Sequence, residues 1–200
     1  MSYRIGIDID NVCVNTTAEV LTYINERLST NLRIEDITQY SIEAALPEQY
    51  RWIVDEAFHS ADMWKQVKFL PHAAEVIQDL WDDGYEIYFV TSTTPKNLHK
   101  KVKHLCRNLP FMFDEYISRH TINIQDKWLL KLDILIDDCL DNLLALGHER
   151  SYYSICIDYP WNETKASIPN FTRVKDWTEV MDKVRMIEAL AEEEGNGVIS

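Results

Sequence analysis

The feature that most constrains the fold is a series of short apolar segments separated by amphipathic stretches of helical length. The apolar segments occupy residues 3–9 (YRIGIDI), 85–90 (YEIYFV), 132–136 (LDILI) and 153–157 (YSICI), and residues 115–118 are a candidate for a further strand. Continuous apolar runs of this length are typical of parallel strands that are buried on both faces. Helices are predicted over residues 73–83, 95–108 and 176–193. Strands that alternate with helices predict an α/β fold with a doubly wound, Rossmann-like parallel sheet.

The segment between the first two strands breaks this alternation. Residues 16–69 have helical patterns, no convincing strand and apolar aromatic residues of their own. We therefore predict a helical cap over residues 16–69, inserted in a core made of residues 1–15 and 70–190, with a frayed tail over residues 191–200. The aromatic residues of the insertion either form its core or contact a substrate. The candidates for substrate contact are Tyr40, Trp52 and Trp64.

The charge balance argues against nucleic acid polymers and membranes as partners. Acidic residues number 33 against 20 basic residues, and the formal net charge of −13 repels DNA and acidic membrane surfaces. A small phosphorylated substrate remains compatible, because a metal ion and a few cations can reverse the local field. No apolar run approaches the roughly 20 residues needed to cross a bilayer, and no export signal is recognisable. With four cysteines that lack C-x-x-C spacing, the sequence predicts a cytoplasmic protein.

Polar side chains stand at the carboxyl ends of three predicted strands. They are, in chain order, Asp8 and Asp10, Thr91 and Ser92, and Asp137 and Asp138. Ligands collect at this edge of a parallel sheet, so we expect the six residues to lie close together. Carboxylates packed together repel one another unless a cation neutralises them, and hard oxygen ligands suit Mg²⁺. The sequence therefore predicts a magnesium site at the aspartates.

The same residues provide a set of groups for phosphoryl transfer. Alternate residues of a strand point the same way, about 6–7 Å apart, so one of Asp8 and Asp10 can attack while the other moves a proton. Lys127 lies just before the LDILI strand and offers a compact positive charge for a phosphate oxygen. Lys96, in the first turn of a predicted helix, is a further candidate for phosphate binding. The following residues, 97–104, are interpreted as a solvated helix face.

Taken in order, these residues resemble the four motifs of the haloacid dehalogenase-like phosphatase superfamily. The motifs are IDIDNV at residues 7–12, FVTS at 89–92, Lys127, and LIDD at 135–138. Within the superfamily, the chain is most similar to the cytosolic-type 5′(3′)-deoxyribonucleotidases and their bacterial relatives. This similarity is carried by VTST at 90–93, the distance from Lys127 to ILIDD, YPWN at 159–162 and DW at 176–177. It covers most of the predicted core and matches the insertion only loosely.

The resemblance implies a magnesium-dependent phosphomonoester hydrolase that forms an aspartyl-phosphate, with a (deoxy)nucleoside monophosphate as substrate. It implies that Asp8 is the nucleophile and that Asp10 acts first as general acid and then as general base. The residues implied for phosphate are Thr91, Ser92 and Lys127, and those for Mg²⁺ are Asp8, the carbonyl of Asp10, Asp137 and Asp138.

Two positions depart from the family pattern. Asn11 stands where relatives commonly have Gly, which is compatible because Asn also accepts turn conformations. Asn15-Thr16 replaces an acidic residue and a Phe that stacks on the base, so the base preference stays open. The alternatives are a phosphatase of another phosphomonoester, such as a sugar phosphate, and a non-catalytic metal-binding regulatory protein. The complete set of catalytic residues argues against the regulatory protein.

Overall fold

The chain folds around a six-stranded sheet in a computed structural model that describes residues 3–60, 63–145, 152–164 and 168–196. The strands are β1 (Arg4–Asp8), β2 (Glu86–Thr91), β3 (Thr121–Asn123), β4 (Ile134–Asp137), β5 (Tyr153–Ile157) and β6 (Phe171–Val174). Their order is β3-β2-β1-β4-β5-β6, and every pairing is parallel. The predicted doubly wound α/β fold is confirmed. Because the strand order reverses between β1 and β4, the crevice for a ligand lies at the carboxyl ends of these two strands.

The helices surround this sheet and confirm most of the sequence prediction. They are α1 (Thr16–Leu28), α2 (Trp52–His59), α3 (Met63–Gln66), α4 (Ala73–Asp82), α5 (Pro95–Asn108), α6 (Asp114–His120), α7 (Leu140–Leu144) and α8 (Val180–Asn196). Helix α5 begins as predicted, with Thr94 as its N-cap and Pro95 in its first turn. No helix of the described residues is long and apolar enough to span a membrane.

The prediction of a strand at residues 115–118 is wrong. These residues lie in α6, where the Tyr116 hydroxyl donates to the carbonyl of Ile87 at 3.2 Å and so holds the helix against β2. The strand itself, β3, follows directly and has only three residues. The sequence analysis also missed β6, in which Phe171, Thr172 and Arg173 are only half-buried.

The main hydrophobic core lies between the sheet and its helices. Ile5, Ile7, Ile87 and Phe89 of β1 and β2 are fully buried in it, as expected for central parallel strands. Trp177, in a 3₁₀ turn before α8, is also fully buried, and its indole NH donates to the carbonyl of Val12 at 2.6 Å. Trp177 thus fixes the loop that follows β1.

The insertion has a hydrophobic cluster of its own. This cluster joins residues of α1, α2 and the turns between them: Val20, Leu21, Ile24, Ile37, Ile42, Leu46, Ile53, Val54 and Ala57. The two ends of the insertion meet where the amide of Asn15 donates to the carbonyl of Lys68 at 2.9 Å. Helix α3 differs, because Met63 and Trp64 pack into the main core. In the tail predicted to fray, α8 continues to Asn196, and residues 197–200 lie outside the described residues.

Candidate active site

Asp8 is the last residue of β1, and the loop that follows carries Asp10 and turns sharply at Asn11. Asn11 has a φ of 56°, in the left-handed region that Asn tolerates better than most residues, as the sequence analysis expected. Its side chain also does what a glycine cannot. The carbonyl oxygen Oδ1 accepts from the amide of Thr17 at 2.9 Å, and Nδ2 donates to Asp138 Oδ2 at 3.3 Å. Asn11 therefore connects the first helix of the insertion to the aspartates of β4.

Three carboxylates and one lysine form a buried cluster at the carboxyl ends of β1 and β4. Asp8, Asp137 and Asp138 are buried, and one oxygen of each lies within 4.8 Å of the others. Lys127, in a 3₁₀ turn before β4, is 2 % exposed and donates both to Asp8 and, at 2.7 Å, to Asp137 Oδ2. The structure therefore brings together the end of β1, the lysine and the pair of aspartates at the end of β4.

The cluster holds more negative charge than its lysine can neutralise. Burial raises the pKa of Asp8 to about 7 against the opposing effect of Lys127, and burial with the charge of Asp137 raises the pKa of Asp138 well above its ordinary value. Burial alone would lower the pKa of Lys127, but the charges of Asp137 and Asp8 raise it overall. A cation would relieve this imbalance, and closely spaced carboxylate oxygens are the ligands that a hard divalent metal prefers.

The two aspartates at the end of β4 have different partners. Asp137 accepts hydrogen bonds from Lys127, from the amide of Cys139 at 2.9 Å and from Asn142 at 3.0 Å, so its carboxylate is largely occupied by protein donors. Asp138 Oδ2 accepts from the Trp161 indole at 3.0 Å. Its other oxygen has no donor among the described residues. Asp138 is thus better placed to bind a metal, whereas Asp137 mainly orients Lys127.

The YPWN segment after β5 supports Asp138. Trp161 stacks on Tyr159 with ring centroids 4.2 Å apart, which holds its indole NH toward the carboxylate. The Asn162 side chain donates to the carbonyls of Asp138 and Ile157, both at 2.8 Å. Sequence reasoning used this segment as a mark of resemblance but missed its role in positioning the site.

The loop after β2 presents hydroxyl groups beside the aspartates. Thr91 is buried and Ser92 is exposed. The loop is braced by Asn123 of β3, whose side chain accepts from the amide of Thr93 and donates to its carbonyl, both at 2.9 Å. Asn123 was not predicted, because β3 is too short to be recognised from an apolar pattern.

The interpretation of residues 97–104 as a solvated face is wrong at three positions. Asn97, Lys101 and His104 are 5 %, 3 % and 7 % exposed. Lys101 Nζ donates to the carboxylate of Asp10 and, at 2.7 Å, to Thr91 Oγ1. The signal was present in the spacing, because Leu98, Lys101 and Leu105 follow the i, i+3, i+7 pattern of one helix face. Lys96, in contrast, is exposed, and no hydrogen bond or ion pair among the described residues joins it to the aspartates.

Two cavities open from the site and share Tyr40 and Ser92 in their walls. One, of about 340 Å³, lies between the insertion and the core and is bordered by Asp10, Trp64 and Asn97. The other, of about 720 Å³, lies on the side of Asp126 and Trp128.

The three aromatic candidates for substrate contact occupy different environments. Tyr40 is 61 % exposed, and desolvation at its hydroxyl together with the charge of Asp138 raises its pKa. Trp64 is almost fully buried and borders the smaller cavity. Trp52 is 57 % exposed at the start of α2, borders neither of these two cavities, and donates its indole NH to the carbonyl of Gln49 at 2.9 Å. The structure therefore brings Tyr40 and Trp64 to the site, but not Trp52.

The sequence of the chain matches those of nucleotidases over nearly its whole length. Residues 2–191 match the family model described as "5' nucleotidase, deoxy (Pyrimidine), cytosolic type C protein". The chain is 29 % identical to the "Putative nucleotidase" of Halalkalibacterium halodurans, over 88 % of this chain and 89 % of that protein. It is 27 % identical to the "Putative 5'(3')-deoxyribonucleotidase" of Staphylococcus epidermidis, over 92 % of this chain and 97 % of that protein.

The fold is similar to that of solved haloacid dehalogenase-like hydrolases. The "putative HAD-hydrolase YfnB" of Bacillus subtilis, solved with magnesium bound, aligns with a TM-score of 0.57 at 12 % identity. The alignment covers 90 % of this chain and 97 % of that protein. At this identity the likeness concerns the fold alone.

Proposed function

Because the chain belongs to the family of cytosolic type C 5′ nucleotidases, and is therefore a phosphatase, we propose that it hydrolyses (deoxy)nucleoside monophosphates through a phosphorylated Asp8. The observation that carries this proposal is the buried cluster of Asp8, Asp138 and Lys127 at the switch point of the sheet. We propose Mg²⁺ as its metal and the cytoplasm as its location. Four free cysteines are in keeping with that compartment.

In the first step, an oxygen of Asp8 attacks the phosphorus atom and the bond from phosphorus to the leaving oxygen breaks. Asp10 gives its proton to that oxygen, so the leaving group departs as an alcohol. In the second step, the Asp10 carboxylate takes a proton from water, which attacks the phosphorus of phospho-Asp8. Inorganic phosphate leaves and Asp8 is regenerated.

The phosphoryl group needs positive charge and hydrogen-bond donors throughout. Lys127 supplies the buried charge beside Asp8. Thr91 Oγ1 accepts from Lys101, so its own hydroxyl proton is free for a phosphate oxygen, and Ser92 is exposed beside it. Asp8, Asp138 and the carbonyl of Asp10 are the proposed metal ligands, with Asp137 behind them. Mg²⁺ bound there neutralises charge on the carboxylates and on the phosphoryl oxygens.

The proposal of a nucleotide rests on the family and on the cavity between insertion and core. The position where relatives carry a stacking Phe is occupied here by Thr16, which is buried and donates to Asp10 at 2.8 Å. A base must therefore stack elsewhere, and we propose Tyr40 or Trp64 for this contact, which is worth about 1–3 kcal/mol. We propose that residues 16–69 form a cap that closes over the phosphate and excludes water.

Phosphate release from a substrate panel tests the proposed function. We expect nucleoside 5′- or 3′-monophosphates to be hydrolysed with Mg²⁺ at least about 10-fold more efficiently, by kcat/KM, than sugar phosphates, because a base adds contacts that a sugar phosphate lacks. The measurement is phosphate release with Mg²⁺ and with a chelator. A preference for sugar phosphates would favour the alternative phosphatase, and activity that survives the chelator would contradict the metal.

Thermal unfolding tests the metal separately from activity. Without metal, the pKa of Asp8 rises from 3.8 to about 7 on folding, so the folded state holds a proton that the unfolded chain has lost. The contribution of Asp8 to stability therefore falls as pH rises between these values, and Asp138 acts in the same direction. We expect Mg²⁺ to raise the Tm more at pH 8 than at pH 6, since protons compete for the same oxygens. The increase in Tm on addition of Mg²⁺ should be absent from the Asp138→Asn variant. An equal increase at both pH values would contradict this site.

A further inference from the structure

The carboxylate of Asp10 is held from two sides by residues that the family motifs do not include. Thr16, the first residue of α1, donates its hydroxyl to Asp10 Oδ1 at 2.8 Å. Lys101, from α5, donates to Asp10 Oδ2. The two donors are 1 % and 3 % exposed, while the side chain of Asp10 itself is 27 % exposed and borders the smaller cavity.

Burial of the Lys101 ammonium is energetically unfavourable, and packing contacts alone do not offset the loss of its hydration. A lysine ammonium loses its hydration when it is buried and is rarely found there unless it is paired. Elsewhere on helix α5, Lys96 and Lys103 are exposed to solvent, and Lys100 is half-buried and donates to the carbonyl of Ser60 at 3.4 Å. The ammonium of Lys101 instead contacts Asp10 and Thr91 and lies 5.6 Å from the centroid of the Trp64 ring.

From these contacts we propose that Lys101 and Thr16 are positioning residues that hold the Asp10 carboxylate in the orientation in which it transfers a proton to the leaving oxygen. The inference rests on the proposed function, in which Asp10 is the general acid. The two buried lysines of the site then have different roles. Lys127 pairs with the nucleophile Asp8, whereas Lys101 pairs with Asp10.

The arrangement has a chemical reason. A carboxylate with one bound oxygen still rotates about its last bond, whereas donors on both oxygens fix its plane. Proton transfer by a well-placed side chain is worth about 100-fold to 10 000-fold in rate, and this gain depends on the distance between the acid and the leaving oxygen. Thr16 and Lys101 come from different elements, α1 and α5, so the orientation of Asp10 also depends on how the insertion packs on the core.

The test compares two leaving groups in Lys101→Met. An alkoxide leaves only with a proton, whereas p-nitrophenolate leaves without one, so only the first needs a correctly placed Asp10. We expect kcat/KM for the alkyl ester that the wild type hydrolyses best to fall by about 100-fold, and kcat/KM for p-nitrophenyl phosphate to fall by less than about 5-fold. Lys103→Met, on the exposed side of α5, is the matched control and should leave both values unchanged.

Two further variants keep the inference falsifiable if Lys101→Met does not fold. Thr16→Val removes only the second donor to Asp10, the Thr16 hydroxyl, and should show the same selective loss with the alkyl ester. Lys101→Arg keeps the positive charge and should recover part of the alkyl ester rate that Lys101→Met loses. An equal loss with both esters would mean that Lys101 attracts phosphate or supports the fold, and would overturn the inference alone. A wild type that hydrolyses p-nitrophenyl phosphate but no alkyl ester would overturn the proposed function and the inference together.

Discussion

Asp8→Asn is expected to abolish turnover without unfolding the protein. Loss of a covalent nucleophile costs on the order of 10⁴-fold or more in kcat, because the first bond to phosphorus cannot form. The stability of the metal-free protein should not fall, since burial opposes the charge that Asp8 carries, and Lys127 keeps Asp137 as a partner. The measurements are phosphate release with Mg²⁺ and thermal unfolding with a chelator.

Trapping the phosphoenzyme makes this experiment specific to the mechanism. Acid quenching of the wild type with a labelled phosphomonoester should leave acid-stable label on the protein, and the variant should retain none. Asp133→Asn is the matched control, because Asp133 lies at the opposite end of β4 in a half-exposed pair with Arg4, where little stability is at stake. Turnover by Asp8→Asn within about 10-fold of the wild type would reject Asp8 as the nucleophile.

Lys127→Met is expected to lower both activity and stability. The variant leaves Asp8 and Asp137 buried without their cation, and removing one partner of a buried ion pair costs about 3–5 kcal/mol. Activity should fall further than stability explains, because the phosphoryl group also loses a positive charge. The measurements are urea unfolding in chelator and kcat under conditions in which the variant is folded.

Mg²⁺ and a neighbouring lysine provide the controls for this variant. Mg²⁺ should recover part of the lost stability, because it supplies positive charge to the same carboxylates. Lys131→Met, four residues further along and exposed, should unfold as the wild type does. A free energy of unfolding within about 1 kcal/mol of the wild type, in chelator, would contradict the unbalanced charge inferred for the cluster.

The residues at the strand ends were predictable because the rule that places them is geometric. The carboxyl ends of parallel strands meet at one edge, so Asp8, Asp137 and Thr91 had to lie near one another once the strands were recognised. Their strands were recognisable because they are buried on both faces and read as continuous apolar runs. Lys127 was found through its distance from the LIDD motif.

What escaped the sequence analysis depends on contacts between distant segments. The run at residues 97–104 is rich in lysine, and polarity outweighed helical periodicity, so Lys101 was assigned to the surface. Trp161 and Asn123 act through side-chain hydrogen bonds to segments distant in the sequence, which no local pattern records. The edge strands β3 and β6 are short and partly exposed, so they lack the long apolar run that marks a central strand.

The pairing of β1 bears on how the protein is made. β1 is translated first, yet its neighbours are β2 and β4, and Ile5 pairs with Ile134. Until β4 has left the ribosome, the apolar strand that carries the nucleophile has one edge open to other chains. Such long-range pairing folds slowly and exposes intermediates to aggregation. Nascent chains that stop short of Asp138 should therefore depend on chaperones and lack enzymatic activity.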